Sequence, residues 1–253
     1  MSGDASGSSA VRGLSEEDTA VLDDPVGRSL RGHHAHLARR RGRALTCARG
    51  VATFAAVPLH PRAQDWTDLA GLLGSEGFAD LFSSPAVPPV DWEPLFTVDG
   101  VQMVATGGEP VGGVAGDGVR RLAEPDVPAA LELTARTRPG PFWPRTHLMG
   151  DYLGVWEDGV LVAMAGERLD PPGWSEISAV CTAPEARGRG LATRLVGAAA
   201  ARITARGERP FLHVAAGNAT AIALYERLGF RVRTEVTFRG FRTPPPLPAA
   251  RLC

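Results

Sequence analysis

Apolar positions along the chain repeat with two different spacings, and the alternation between them outlines most of the elements. Trp66, Leu69, Ala70 and Leu73 fall at i, i+3, i+4 and i+7, so Asp65–Leu73 is expected to be an amphipathic helix. The run VGRSLRGHHAHLARRR follows Asp23 and Asp24 as candidate caps, with Pro25 in the first turn, and predicts a helix from Pro25 to Arg41. Short apolar runs predict a hairpin of Leu45–Arg49 and Val51–Val57 about Arg49-Gly50, and strands at Phe78–Phe82 and Leu95–Thr106. Residues 1–22 are small, polar and acidic, and are expected to be disordered.

Residues 107–118, GGEPVGGVAGDG, hold six glycines and one proline and read as a flexible connector. Beyond it the order changes. A strand at Val119–Leu122 leads to a helix at Pro125–Arg136, then to TRPGPFWPRTH, whose three prolines exclude a long helix. A hairpin of Asp151–Trp156 and Val160–Leu169 turns at Glu157-Asp158-Gly159. Trp174–Thr182 is the next strand and Leu191–Arg206 the next helix. Phe211–Ala215 then reads as a strand, Asn218–Leu228 as a helix and Phe230–Phe241 as one or two closing strands. The tail from residue 243 to 253 is too rich in proline to pack as helix or sheet. The expectation is therefore an α/β protein with a smaller N-terminal domain over 23–106, the 107–118 linker and a second domain over 119–242.

Composition narrows the chemistry. All 27 basic side chains among the 253 residues are arginine, with no lysine. Lysine Schiff-base enzymes, pyridoxal-phosphate enzymes, Walker-A phosphoryl transfer and protein kinases are thereby excluded. Coding bias toward Gly, Pro, Ala and Arg is the simplest cause. Residues 1–118 carry 9 arginines against 15 acids, and residues 119–253 carry 18 against 13. A positive second half suits an anionic ligand. Cys47, Cys181 and Cys253 lack metal-ligand spacing and read as reduced thiols of a cytoplasmic protein. No apolar run is long enough for a membrane span, and MSGDASGSSA is not patterned as a signal peptide. The basic run Arg39, Arg40, Arg41 and Arg43 is read as a solvated helix end rather than a nucleic-acid patch. His33, His34 and His36 do not make a convincing zinc site, so no metal is expected.

The segment EISAVCTAPEARGRGLATRLV, residues 176–196, runs from strand through loop into helix. Gly188 and Gly190 allow close backbone approach, and the helix start offers free N–H groups beside Arg187 and Arg189. Such a site can hold a pyrophosphate without lysine. Taken alone, the loop could equally be a glycine-rich turn. A dinucleotide fingerprint is disfavoured, because its third glycine is missing.

A second motif follows at residues 218–230, NATAIALYERLGF. R-G-R-G-L-A followed by N-x-x-A-x-x-L-Y-x-x-x-G-F resembles the acetyl-CoA signature of the GNAT N-acyltransferase superfamily. The resemblance covers roughly residues 119–241 and extends to the order of elements. The layout also resembles the two-domain glycine N-acyltransferase-like branch, whose first half is a degenerate copy of the same fold. It implies a mixed twisted sheet flanked by helices, and acetyl-CoA or a longer acyl-CoA as donor.

By that resemblance, Val180, Cys181 and Thr182 offer backbone groups to the pantetheine arm. Arg187, Gly188, Arg189, Gly190, Leu191, Ala192 and Thr193 wrap the pyrophosphate. Asn218 caps its helix and contacts the cofactor arm. Tyr225 protonates the departing thiolate, or else is a core tyrosine. Strand alternation puts Glu176, Ser178, Val180 and Thr182 on one face. Glu176 is then either the base that draws a proton from the acceptor amine, its pKa raised by apolar neighbours such as Trp174 and Ile177, or a solvated strand-end glutamate. Trp143, Arg145 and His147 either line the acceptor side or belong to a proline-stiffened surface loop. The implied acceptor is a small-molecule amine or a peptide N-terminus, attacked directly in a ternary complex, with no membrane or nucleic-acid partner. Edge-strand pairing into a homodimer is common in the family. The rival reading is a CoA-binding or regulatory module without turnover.

Overall fold

The computed structural model describes residues 14–106 and 118–245. Six α-helices and eleven strands are found among them. In chain order these are α1 (Glu16–Thr19), α2 (Pro25–Arg31), β1 (Ala38–Arg41), β2 (Ala44–Cys47), β3 (Ala55–Ala56), α3 (Ala63–Leu73), β4 (Phe78–Phe82) and β5 (Glu93–Ala105). After residue 117 come β6 (Val119–Arg121), α4 (Val127–Thr137), β7 (Tyr152–Glu157), β8 (Val160–Glu167), β9 (Trp174–Thr182), α5 (Leu191–Ala205), β10 (Arg209–Ala215), α6 (Ala219–Arg227) and β11 (Phe230–Arg242).

Eight strands form one mixed sheet in the order β4-β11-β5-β10-β9-β8-β7-β6. Only β9 and β10 run parallel, joined by α5 as the crossover such a pair requires. Helices α4 and α5 pack on β8 and β9, and a core of Leu133, Met164, Ile177, Leu195, Ile203 and Phe230 closes between helices and sheet. A separate sheet, β1-β2-β3, packs against α3.

The 107–118 segment is not a division of the large sheet. Strand β5, from before it, lies between β10 and β11, from after it, and β4 pairs with β11. A thirteen-residue strand with an unpaired edge on each side is an open template until neighbours close it.

The N-terminal region departs from expectation in three places. Residues 14–22 are folded: Ser15 and Asp18 form a capping box on α1, Leu22 is buried, and the Trp174 indole donates to the Asp18 carbonyl. The helix from Pro25 stops at Arg31. Gly32 leaves the helical region, and the chain turns inward to bury His34 between Ser29 Oγ (2.7 Å) and the Met149 carbonyl (2.8 Å). That burial pushes the His34 imidazole down to about 4. The arginine run therefore lies on β1 and its turn rather than on a helix end. Arg39 donates to the Leu72 carbonyl at the end of α3, while Arg41 and Arg43 pair with Asp68 and Asp65 of the same helix. At the other terminus, Thr243 is packed rather than loose: its hydroxyl donates to the Gly74 carbonyl and accepts from the Gly77 N–H. Residues 246–253, including Cys253, lie outside the described residues.

Candidate active site

Strands β9 and β10 are paired only from Trp174 to Glu176, opposite Arg209 to Phe211. Beyond those three positions they part. Ala179 is the cause on the β9 side: its φ is +52°, and between Ser178 and Cys181 the strand carries one residue more than β8 opposite it. This bulge bends β9 and changes the phase of its alternation, so Glu176 and Thr182 are not held on one face as strict alternation predicts. The opened gap is a cavity of about 650 Å³ lined by Ile177–Thr182 of β9, His213–Ala215 of β10 and the inner face of α6.

At the far end of β9 the chain enters the glycine loop. Gly188 and Gly190 take φ of +75° and +74°, the left-handed region where a side chain is strained. Gly190 is the N-cap of the fifteen-residue α5 and brings no capping side chain, nor is there an acid in the first turn. The first N–H groups of α5 therefore receive no side-chain cap from Gly190, an arrangement that can accept an anion. Arg187 and Ala192 line the cavity beside them. Arg189 does not; its guanidinium grips Glu157 at 2.6 and 2.9 Å. Leu191 is a core residue, 4% exposed. Thr182 Oγ1 is buried in the cleft wall without a hydrogen-bond partner. Together with the uncapped helix start, that orphaned hydroxyl fits the polar arm and diphosphate of a coenzyme A thioester.

Asn218 caps α6 by accepting from the Ala221 N–H (3.1 Å) and also lines the cleft. Tyr225, about two turns further on, lines it as well. Burial pushes the Tyr225 phenol up to about 12, so it stays protonated at ordinary pH. Cys181 is buried and its thiol is likewise pushed up, to about 11, which suits packing rather than nucleophilic attack.

Glu176 has surroundings the sequence did not suggest. It is fully buried, and both oxygens accept from Arg168 (Nε 2.8 Å, Nη2 2.6 Å), with His213 Nδ1 at 2.7 Å. Burial alone would raise its pKa. The Arg168 charge and the Arg168 and His213 hydrogen bonds outweigh burial and hold the carboxyl at about 2. The expected upward shift is thus reversed, because its neighbour is a guanidinium and not an apolar wall. A carboxylate can only accept, so Nδ1 of His213 carries the proton. Burial lowers the His213 pKa despite Glu176, leaving a neutral ring whose Nε2 accepts from the Gln102 amide at 3.1 Å. Gln102 in turn accepts from Arg233. This polar chain runs from just past the end of β8 across β9, β10, β5 and β11.

Trp143, Arg145 and His147 are not brought to the cleft. The lining stretch is Thr137–Pro141; Arg145 turns back to the Arg49 and Gly50 carbonyls, and His147 lines a separate hollow of about 350 Å³. In their place stand residues that sequence reasoning passed over: Arg168, His213, Asp80 and the rings of Phe54, Phe82, Phe96 and Phe238. The one available signal was alternation in β4, which points Asp80 and Phe82 the same way.

The FR47-like protein family model matches residues 152–239, the span holding β7 to β11. A protein of the GNAT acetyltransferase family from Novosphingobium aromaticivorans is 38% identical, with a TM-score of 0.80 over 89% of this chain and 99% of that one. The chain belongs to the GNAT acetyltransferase family. A GCN5-related N-acetyltransferase from Kribbella flavida shares the fold, with a TM-score of 0.55 at 16% identity over 87% of this chain and 96% of that one. The mycothiol acetyltransferase of Corynebacterium glutamicum is 37% identical over 83 residues, which are 32% of this chain and 28% of that relative. This GNAT chain therefore matches only about a quarter of that curated relative's length. Among the described residues no group of His, Cys, Asp and Glu could hold a metal ion, and no helix is long and apolar enough to cross a membrane.

Proposed function

We propose that this GNAT protein transfers an acetyl group from acetyl-CoA to a primary amine by direct attack in a ternary complex. The observation that carries the reading is the gap between β9 and β10, which opens onto an uncapped helix start at one end and onto Tyr225 along its wall. Backbone N–H groups of Gly188 to Thr193, with Arg187, bind the diphosphate. Thr182 and the parted edge of β9 hold the arm, and Asn218 anchors the start of α6 beside it. The thioester supplies the activated acyl group; the chain orients it against the amine and excludes water. Tyr225, still protonated at assay pH, gives its proton to the departing thiolate, and the proton that the amine nitrogen loses on acylation restores the phenol. Arg189 joins the diphosphate only by leaving Glu157.

Glu176 takes a different part from that of a base on the substrate. With both oxygens engaged by Arg168 and a pKa of about 2, it fixes Arg168 and His213 in the cleft wall and acts as a positioning residue.

Thiol release from acetyl-CoA over a panel of amines, with purified protein, tests the activity. Tyr225→Phe should lower kcat by ~10²–10⁴-fold, the usual range for a lost general acid, while CoA affinity by calorimetry stays within twofold of wild type. If CoA binds and no amine stimulates release in the wild-type protein, a non-catalytic CoA-binding module is the correct reading.

A further inference from the structure

The inner end of the cleft carries a charge that packing does not require. In β4, Ala79 and Leu81 face the core under α3, whereas Asp80 and Phe82 face the cavity. Asp80 is 6% exposed. One carboxylate oxygen accepts from the Thr53 hydroxyl at 2.8 Å; the other has no hydrogen-bond partner among the described residues. Burying a half-satisfied carboxylate is costly, and an apolar residue at this position would pack without that cost.

Around Asp80 stand aromatic rings. Phe82 stacks on Phe238 with centroids 4.7 Å apart and planes 10° apart, and the Phe54 ring is tilted against Phe82 with centroids 5.0 Å apart. Phe96, 42% exposed, stands at the rim. Arg168 is held between Phe54 and Phe82, but its charge is already matched by Glu176, and His213 is neutral. Around Asp80, two carboxylates, its own and that of Glu176, thus share the single guanidinium of Arg168; the other cleft arginines, Arg138 and Arg187, stand on the 137–141 stretch and the glycine loop. Arg145, one of the residues expected on the acceptor side, lies elsewhere.

We propose that Asp80, with Phe54, Phe82, Phe96 and Phe238, forms the acceptor subsite, and that it selects a protonated primary amine on an apolar or aromatic stem lacking a carboxylate beside the amine. The ammonium pairs with the free oxygen of Asp80 and gives up one proton to that carboxylate before the amine attacks, while the stem lies on the ring faces. Burial raises the Asp80 pKa despite Thr53 and Arg168, which suits a carboxylate that pairs with an ammonium and then takes its proton. Asp80 and the rings come chiefly from segments before residue 107, so the N-terminal half reads the acceptor while the second half holds the donor.

This inference rests on the acyl-transfer reading, so its test separates the two. Phenethylamine, phenylalanine (the same ring with a carboxylate beside the amine) and methylamine (no stem) serve as probes, each followed by thiol release and by calorimetry on the CoA-loaded full chain. Phenethylamine should show a KM at least tenfold below the other two. Asp80→Asn, which can still accept from Thr53, should raise that KM at least tenfold with CoA affinity unchanged, and the unchanged affinity reports an intact fold. If Asp80→Asn does not bind CoA, Phe96→Ala at the exposed rim decides, raising KM for phenethylamine and not for methylamine. Equal use of phenylalanine, or unaltered KM in whichever variant binds CoA, overturns the subsite. Binding of phenethylamine without thiol release would leave the subsite standing and remove the transferase reading. Failure of phenethylamine to bind, with or without CoA, would remove the subsite.

Discussion

Glu176 accepts three short hydrogen bonds, two from Arg168 and one from His213, with no surface of its own in contact with solvent. Its ionisation is therefore a property of the folded state. A carboxyl held at about 2, against an ordinary 4.5, favours the folded protein fully above the unfolded value, and that contribution is lost as pH falls toward 2. Chemical denaturation between pH 7 and pH 2.5 should show stability declining on the acid side, with a shallower decline in Glu176→Gln. The same variant leaves Arg168 buried without its counter-ion, at a cost of ~3–5 kcal/mol at neutral pH. A Glu176→Gln protein as stable as wild type would mean that Arg168 finds another partner. At this scale Tyr225 and Asn218 could be read from the motif that contains them. The state of Glu176 could not, since Arg168 and His213 lie 8 and 37 positions away and only strand neighbours bring them to it.

At the scale of elements, the loop into α5 and the bulge in β9 do most to shape the cleft. Gly190 occupies the left-handed region with open space where a Cβ would stand. Replacing it by alanine should cost ~1–2 kcal/mol through backbone strain alone. The N–H groups that follow would be re-aimed, so CoA affinity should drop further than stability does. Calorimetric titration of Gly190→Ala compared with its Tm checks this; equal losses in both would remove the diphosphate role from the loop. The strand-loop-helix succession here, and the bounds of β9, were legible because turn glycines and apolar periodicity are local signals. The bulge at Ala179 was not, because alanine has no intrinsic preference for positive φ and is held there by its neighbours. The helix expected through Arg41 failed for a similar reason: His34 gains two buried hydrogen bonds only if the helix ends before it.

At the scale of the whole molecule, the strand order binds the two halves of the chain together. Strand β5 supplies partners to both β10 and β11, and its removal would leave two central edges unpaired. A fragment beginning at residue 119 should therefore fail to fold alone, read as lost cooperative thermal unfolding and lost near-ultraviolet dichroism. A fragment that folded and bound CoA would re-establish 107–118 as a true domain boundary. Local patterns by themselves determined most of the element types, the glycine-led helix start after Gly190, the Asn218 cap and the motif that holds Tyr225, and hence the family. Which strands lie side by side was decided only by the tertiary structure, because pairing depends on burial summed over the whole sheet and not on any local period. That order assembles Arg168, Glu176, His213 and Gln102 into one buried chain. It also brings Asp80, Phe54, Phe82 and Phe96 from the first half to a cleft whose motifs all lie in the second.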